Sequence, residues 1–179
     1  HPELATVCLQ NGADTNHQGR FGKTALHWAV LKNELGCIDL LLKKGANPKL
    51  HTRTSPYDEM RSGKPLHVAA HEGNLEAVKM LHNSGAKVNV KNNERYTAFP
   101  FSFATSRKHI RICEYRVNAG DDINVKNSVG KTPVDMAAVV GSRGAVVDIL
   151  KRHRLPVPDN NGETPDRLHY LFAESGIDF

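Results

Sequence analysis

The feature that most constrains this chain is a motif written several times over. Residues 22–47 read GKTALHWAVLKNELGCIDLLLKKGAN, and residues 63–89 read GKPLHVAAHEGNLEAVKMLHNSGAKVN, with Leu66-His67 standing over Leu26-His27. Further copies of the opening begin at Arg95 (RYTAFPFSFA), Gly130 (GKTPVDMAAVVG) and Gly162 (GETPDRL). Val7 to Asn16 (VCLQNGADTN) repeats only the closing half. The closing glycines are 33 residues apart from Gly12 to Gly45, 40 from Gly45 to Gly85 and 35 from Gly85 to Gly120. A unit of this size cannot bury its own apolar face, so the copies must stack on one another.

Each copy carries its own start and stop signals. Thr24 is placed as an N-cap, its hydroxyl accepting from a free backbone N–H of the first turn. Ala25, Leu26, Trp28, Ala29 and Val30 follow as a short segment apolar on most sides, which predicts burial on most sides. Lys32-Asn33-Glu34 breaks the run, and Leu35, Ile38, Leu41 and Leu42 then recur at helical spacing. Lys43 and Lys44 fall in the last turn, with Gly45 just beyond it in the place of a left-handed cap. Both helices are too short to be stable alone.

With this period and its T-P-L-H and G-A-D-x-N landmarks, the chain resembles the ankyrin-repeat family from about Leu4 to about Phe172. The resemblance implies an all-α solenoid of stacked helix–turn–helix units with β-hairpin finger loops, forming a single domain. Its divisions are a partial repeat at 1–16, repeats at about 17–49, 50–89, 90–124 and 125–159, and a C-terminal capping half-repeat at 160–179. His1 to Gln10 is expected to be a second helix with Leu4, Val7 and Cys8 facing the next copy. The chain opens inside that second helix and closes just after a first one, as expected of a segment cut from a longer protein. Gly19 and Gly22 stand where finger turns need positive φ. His27 and His67 match the family's histidine, expected to hydrogen-bond locally and to the adjoining repeat.

Departures from the pattern are informative. Gly12 to Thr24 is 12 steps but Gly45 to Lys64 is 19, so seven extra residues lie within His51 to Ser62. Insertions in repeat proteins map to loops on one face, often the binding face; a tolerated loop is the plainer alternative. Lys64 replaces the capping threonine, at a cost of about 0.5–2 kcal/mol. In the third copy Arg95 stands at a finger glycine, Pro100 replaces the histidine, and two residues are inserted near Ser106 to Arg111. His109 to Ile112 admits helix or strand; helix with a bulge or an extra turn is the reading retained. The fourth copy has Thr132-Pro133 at its start and Val146, Ile149 and Leu150 as its second stripe, and Arg154 and Pro156 are expected to end the regular stack.

Composition sets the limits. The chain has 179 residues, 39% hydrophobic but only 6% aromatic, which predicts a core of small aliphatic side chains. No apolar run is long enough to span a bilayer, so membrane insertion is not expected. Cys8, Cys37 and Cys113 are odd in number and lie in different copies, and they read as reduced core thiols of a cytoplasmic or nuclear protein. There is no nucleophile elbow, phosphate-cradling glycine loop or zinc spacing, even among His27, His67, His71 and His82. The reading is therefore a non-enzyme without metal or cofactor.

The resemblance instead implies protein–protein recognition through the concave face and finger loops, as adaptor, scaffold or inhibitor. The candidate partner-binding residues are Arg20, Phe21 and Lys23 in the first finger, and Leu31 and Lys32 at the end of its helix. The next set is Tyr57, Met60, Arg61, His71 and Glu72, then Asn93, Glu94, Tyr96 and Thr105, then Ser128, Val129, Lys131, Val139 and Val140. Ankyrin segments also occur as regulatory arms of enzymes and channels, which is the alternative reading. A net charge of +5 raises nucleic-acid binding as a rival, but the basic residues are dispersed among acidic ones and no nucleic-acid motif is present. An acidic surface on a protein partner explains the charge equally well, with this domain monomeric. Two modification candidates stand beside these. Asn89 lies in LHNSGAKVNV, which resembles segments modified by asparaginyl hydroxylase (Asn124 is a weaker case), and Ser55-Pro56 resembles a proline-directed kinase site.

Overall fold

The computed structural model describes residues 2–52, 63–87, 107–120, 126, 130, 132, 143–155 and 157. The chain forms two compact units, His1–Pro100 and Phe101–Phe179. Among the described residues the secondary structure is helical: α1 (Pro2–Gln10), a one-turn 3-10 segment (Arg20–Gly22), α2 (Ala25–Leu31), α3 (Leu35–Lys43), α4 (Pro65–His71), α5 (Leu75–Asn83), α6 (Arg107–Asn118) and α7 (Arg143–Arg152). No strand occurs among these residues. The class is all-α, built from stacked helix–turn–helix units.

In the first unit α2 packs on α3 and α4 on α5, while α2 meets α4 and α3 meets both α1 and α5. Leu26, Val30, Ile38 and Leu41 supply one layer of the core, and Leu66, Val68, Val78 and Leu81 the next. Alanines at 29, 69, 70 and 77 let the helices approach closely, consistent with the low aromatic content.

The closing signals work as the sequence predicts. After α3, Gly45 N–H donates to Leu42 O at 3.1 Å and Ala46 N–H to Leu41 O at 2.9 Å, the paired bonds of a Schellman cap. Gly12, Gly85 and Gly120 close α1, α5 and α6 at φ near +80°, as Gly45 does for α3. The first helices end in the same way, α4 at Gly73 and α2 at Asn33 with φ 55°. In the second unit α7 carries no glycine at this position, yet Arg154 N–H donates to Lys151 O at 3.1 Å and Leu155 N–H to Leu150 O at 2.9 Å. Arg154 itself takes φ 51°. The helix thus closes as the others do, with a side chain in a conformation that favours glycine, and the expected end of the regular stack falls on residues outside those described. Arg154→Gly is expected to stabilise the chain by about 0.5–1 kcal/mol, read as a higher urea midpoint at unchanged slope.

Two expectations change. Leu4, Val7 and Cys8 of α1 are exposed, Leu4 at 65% and Val7 at 53%. One period later Cys37 and Leu41, the counterparts of Leu4 and Cys8, are buried in α3, which packs on α2; α1 has no such first helix beside it among the described residues. Pro2, Ala5, Thr6 and Leu9 are the partly buried positions of α1 instead. Cys8 is consequently not a core thiol, whereas Cys37 and Cys113 are buried and unbonded. Trp28 is the second case: its segment is buried through Leu26, His27, Ala29 and Val30, but Trp28 itself faces outward with Ala25. The helical reading at α6 holds, and the extra length appears as added helix. It has 12 residues where α3 and α5 have 9, and it begins 13 residues before its closing glycine instead of 10.

In the second unit α6 packs on α7 through Ile112, Cys113, Val117, Val146, Ile149 and Leu150. Arg116 is wholly buried in α6, and burial raises the pKa of the Cys113 thiol against the opposing field of Arg116. A salt bridge from Arg152 to Glu114 joins the exposed sides of the two helices.

Candidate functional site

The first finger is a tight turn held by backbone bonds. Gly19 N–H donates to Lys23 O at 3.0 Å and Gly22 N–H to Gly19 O at 3.0 Å. Its two left-handed residues are Phe21 (φ 60°) and Gly22 (φ 72°), consecutive as a primed hairpin turn requires. Gly19 has φ −77°, so the expectation of positive φ holds at Gly22 and fails at Gly19. The turn sits further along than the glycine spacing implied, and a phenylalanine carries the strained conformation. Non-glycine residues in this region cost on the order of 1 kcal/mol or more and cluster at binding sites.

The finger is tied to the next copy. Gln18 Nε2 donates to Gly22 O and to His51 O, both at 3.0 Å. Asn16 Nδ2 donates to Gly45 O at 3.2 Å, and Asn47 N–H donates to Asn16 Oδ1 at 2.7 Å. The second finger has an equivalent base, where Thr52 N–H donates to Gly63 O and Gly63 N–H donates to Thr52 Oγ1, both at 2.8 Å. Thr52 and Gly63 correspond to Gly19 and Lys23. Three residues lie between the first pair (20–22) and ten between the second (53–62), which places all seven extra residues beyond this base.

Below the first finger, Thr24 and His27 form a capping box. Thr24 N–H donates to His27 Nδ1 at 3.1 Å, and Thr24 Oγ1 lies 2.8 Å from the same nitrogen. Because Nδ1 accepts, the ring proton belongs on Nε2, which lies 3.2 Å from Gly63 O of the following copy. The histidine therefore makes the local and inter-repeat bonds that the resemblance implied. Burial lowers its pKa to about 4; the bond to Gly63 opposes this, while Lys23 and His51 add to it. In the next copy Lys64 N–H donates to His67 Nδ1 at 3.2 Å, so half of the box survives the loss of the threonine hydroxyl.

Exposed side chains gather on the finger and the outward side of α2. The Arg20 guanidinium sits 4.9 Å from the Phe21 ring centroid and Lys23 Nζ 5.0 Å from that of Trp28. Phe21 is 37% exposed and Trp28 50%. Lys32 is exposed and Leu31 half-buried at the far end of the helix. At the same register of α4 stand His71 and Glu72, half-buried, with Nδ1 and Oε1 3.2 Å apart. Sequence reasoning missed Trp28 as a surface residue. The signal was present: Ala25, Trp28 and Lys32 recur at spacings of three and four, one helical face ending in a charge. Tyr57, Met60, Arg61, Asn93, Glu94, Tyr96, Thr105, Ser128, Val129, Lys131, Val139 and Val140 lie outside the described residues, as do Ser55 and Asn89.

A stacked repeat array with a capped, hydrogen-bonded scaffold and exposed aromatic side chains on its first finger and α2 defines a class of interaction protein. The profile of the ankyrin repeats matches residues 1–97 in three copies, and the chain belongs to the ankyrin-repeat family. It is similar to human cyclin-dependent kinase 4 inhibitor B, with 32% identity over 120 residues, covering 66% of this chain and 80% of the relative. A probable 26S proteasome regulatory subunit of Saccharomyces cerevisiae is 26% identical over 86% of this chain and 65% of its own length. Alpha-latrocrustotoxin-Lt1a of Latrodectus tredecimguttatus is 31% identical over 64% of this chain, which spans only 7% of that protein. Ankyrin repeats are modules that bind other proteins. No helix among the described residues is long and apolar enough to cross a membrane.

Proposed function

We propose that this chain is a protein-recognition module whose contact face is formed by the finger tips and the outward side of the first helices, with Trp28 at its centre. The observation that carries this reading is the exposure of Trp28 on α2 and of Phe21 on the first finger, each ring attended by a cation. Tryptophan is among the residues most enriched where binding energy concentrates, and it is seldom left in solvent without use. Arg20, Lys23 and Lys32 around the two rings suit a partner with acidic residues next to an apolar one. The chain performs no catalysis in this reading and acts as adaptor, scaffold or inhibitor in the cytoplasm or nucleus, where Cys37 and Cys113 stay reduced. Service as the ankyrin arm of a larger protein is the second reading, supported by the toxin of which the chain spans 7%.

The test is a double replacement, Phe21→Ala with Trp28→Ala. Partner affinity is expected to fall by at least about thirtyfold, the scale of a buried aromatic anchor. Helical circular dichroism and the unfolding midpoint should be kept, since neither side chain is buried in the core. Lys79→Ala, which removes an exposed ion pair with Glu76 on α5, serves as the control and should leave affinity unchanged. Equal affinity of the double variant and the parent would overturn the proposal.

A further inference from the structure

A cleft of about 240 Å³ lies in the first unit at the start of α4. Three lysines line it, each from a different segment: Lys49 after the close of α3, Lys64 at the N-cap of α4, and Lys87 after the close of α5. Its other walls are His67 and the apolar Pro48, Leu66 and Ala86, the last three buried. Among the described residues no carboxylate lines it, and none of the three lysines is in an ion pair.

We infer that this cleft is a socket for a phosphate monoester. Lys64 feels the charge of Lys87, and with Lys49 on the same lining a bound dianion meets attraction from three lysines. The lowered pKa of Lys64, caused first by burial and then by the charge of Lys87, accords with such crowding. A phosphate ester carries close to two negative charges near neutral pH where a carboxylate carries one, so it neutralises the cluster more fully. Lysines, as compact point charges, suit phosphate without demanding the bidentate geometry of arginine. The volume is below that of ordinary cofactor pockets and matches a single phosphate on a short stem. Pro48, Leu66 and Ala86 offer that stem an apolar floor. Lys64 stands where the preceding copy has the capping Thr24. The chain gives up a capping hydroxyl there and gains a lysine on the lining of the cleft. This inference stands apart from the role proposed for Trp28, which lies outside the lining of the cleft.

The same chemistry is offered by a phosphorylated side chain of a partner and by a free phosphate ester, and one titration separates them. The whole isotope-labelled chain is titrated with N-acetyl-O-phosphoserine amide, with inorganic phosphate and with N-acetylglutamate amide, following the amide resonances of Lys64, Leu66 and Ala86. Saturable shifts are expected with both phosphates and weaker ones with the carboxylate. The dissociation constant for phosphoserine should rise at least tenfold in Lys64→Gln and in Lys87→Gln, and stay the same in Lys43→Gln. Lys87 is exposed, so its replacement keeps the test valid if Lys64→Gln perturbs the cap. Phosphoserine binding tighter than inorganic phosphate supports the socket and assigns it a stem-borne group; equal affinities support it with free phosphate as ligand. Carboxylate binding as tight as phosphate overturns the phosphate assignment. Shifts that never saturate, or that persist unchanged in Lys87→Gln, overturn the socket.

Discussion

Truncating Ile38 to alanine is expected to lower the unfolding free energy by about 2–5 kcal/mol, a large part of the stability of a domain this size. Ile38 is fully buried in α3, the helix that touches α1, α2 and α5. Removing three carbons there loses their transfer free energy and leaves a cavity, because backbone on several sides prevents collapse. The effect should also spread in a particular direction. In a repeat array each copy is stabilised by its neighbours, and α1 has α3 as its only substantial helical contact among the described residues. Hydrogen exchange should therefore show amides of α1 losing protection together with those of α3, while α5 keeps more of its own through α4. Lys43→Ala, one turn further along the same helix, removes only an exposed ion pair with Asp39 and should cost less than about 0.5 kcal/mol. Equal losses from the two replacements would contradict this account of where the stability resides.

Acidification should destabilise the chain through His27. Its folded pKa of about 4 lies below the unfolded value of 6.5, so the unfolded state takes up the proton first. The contribution of the neutral ring is fully present above pH 6.5 and is lost as pH falls from there towards 4. The total is about 3 kcal/mol, of which about 2 kcal/mol is gone by pH 5. The physical cause is burial of the ring, which disfavours its charged form, and protonation of Nδ1 would also break the bond it accepts from Thr24 N–H. Urea unfolding at pH 7.5 and 5.0, for the parent and for His27→Gln, isolates the group. The variant should be weaker at pH 7.5, because the bond to Gly63 is altered, but should lose about 2 kcal/mol less on acidification. Parallel pH profiles for the two proteins would show that His27 is not the group responsible.

The scaffold was legible because its signals are local and repeated. A glycine after two lysines, an asparagine between two helices and a histidine three residues after a threonine each specify a backbone event within one turn, and the structure has all three. Phe21 shows where locality fails: which residue of a short turn takes positive φ depends on the bonds at the base of the finger, not on glycine content. Trp28 was assigned to the interior because its neighbours are apolar, although helical spacing puts it on the opposite side from Leu26 and Val30. Leu4 and Cys8 sit at helical spacing expected to face the next copy, but burial of their counterparts Cys37 and Leu41 comes with α2 packed on α3, and α1 has no such first helix beside it among the described residues. The lysine cleft could not be read at all. Its three cations are separated by 15 and 23 residues and meet only when two repeats stack.

The clasp between Thr52 and Gly63 has a consequence for how such a chain changes over generations. Both ends of the second finger are fixed by mutual bonds at 2.8 Å, and the same two positions close the first finger over only three residues. Whatever is spliced between them meets a finished anchorage. Going from three residues to ten costs roughly 1 kcal/mol of closure entropy, and doubling again costs about 0.6 kcal/mol more. Length and content beyond the clasp are therefore nearly free variables, whereas a substitution at Thr52 removes the bond its hydroxyl accepts and leaves the backbone bond that Gly19 also makes in the first finger. A lineage built this way can try new protrusions one at a time while its stack stays as it was.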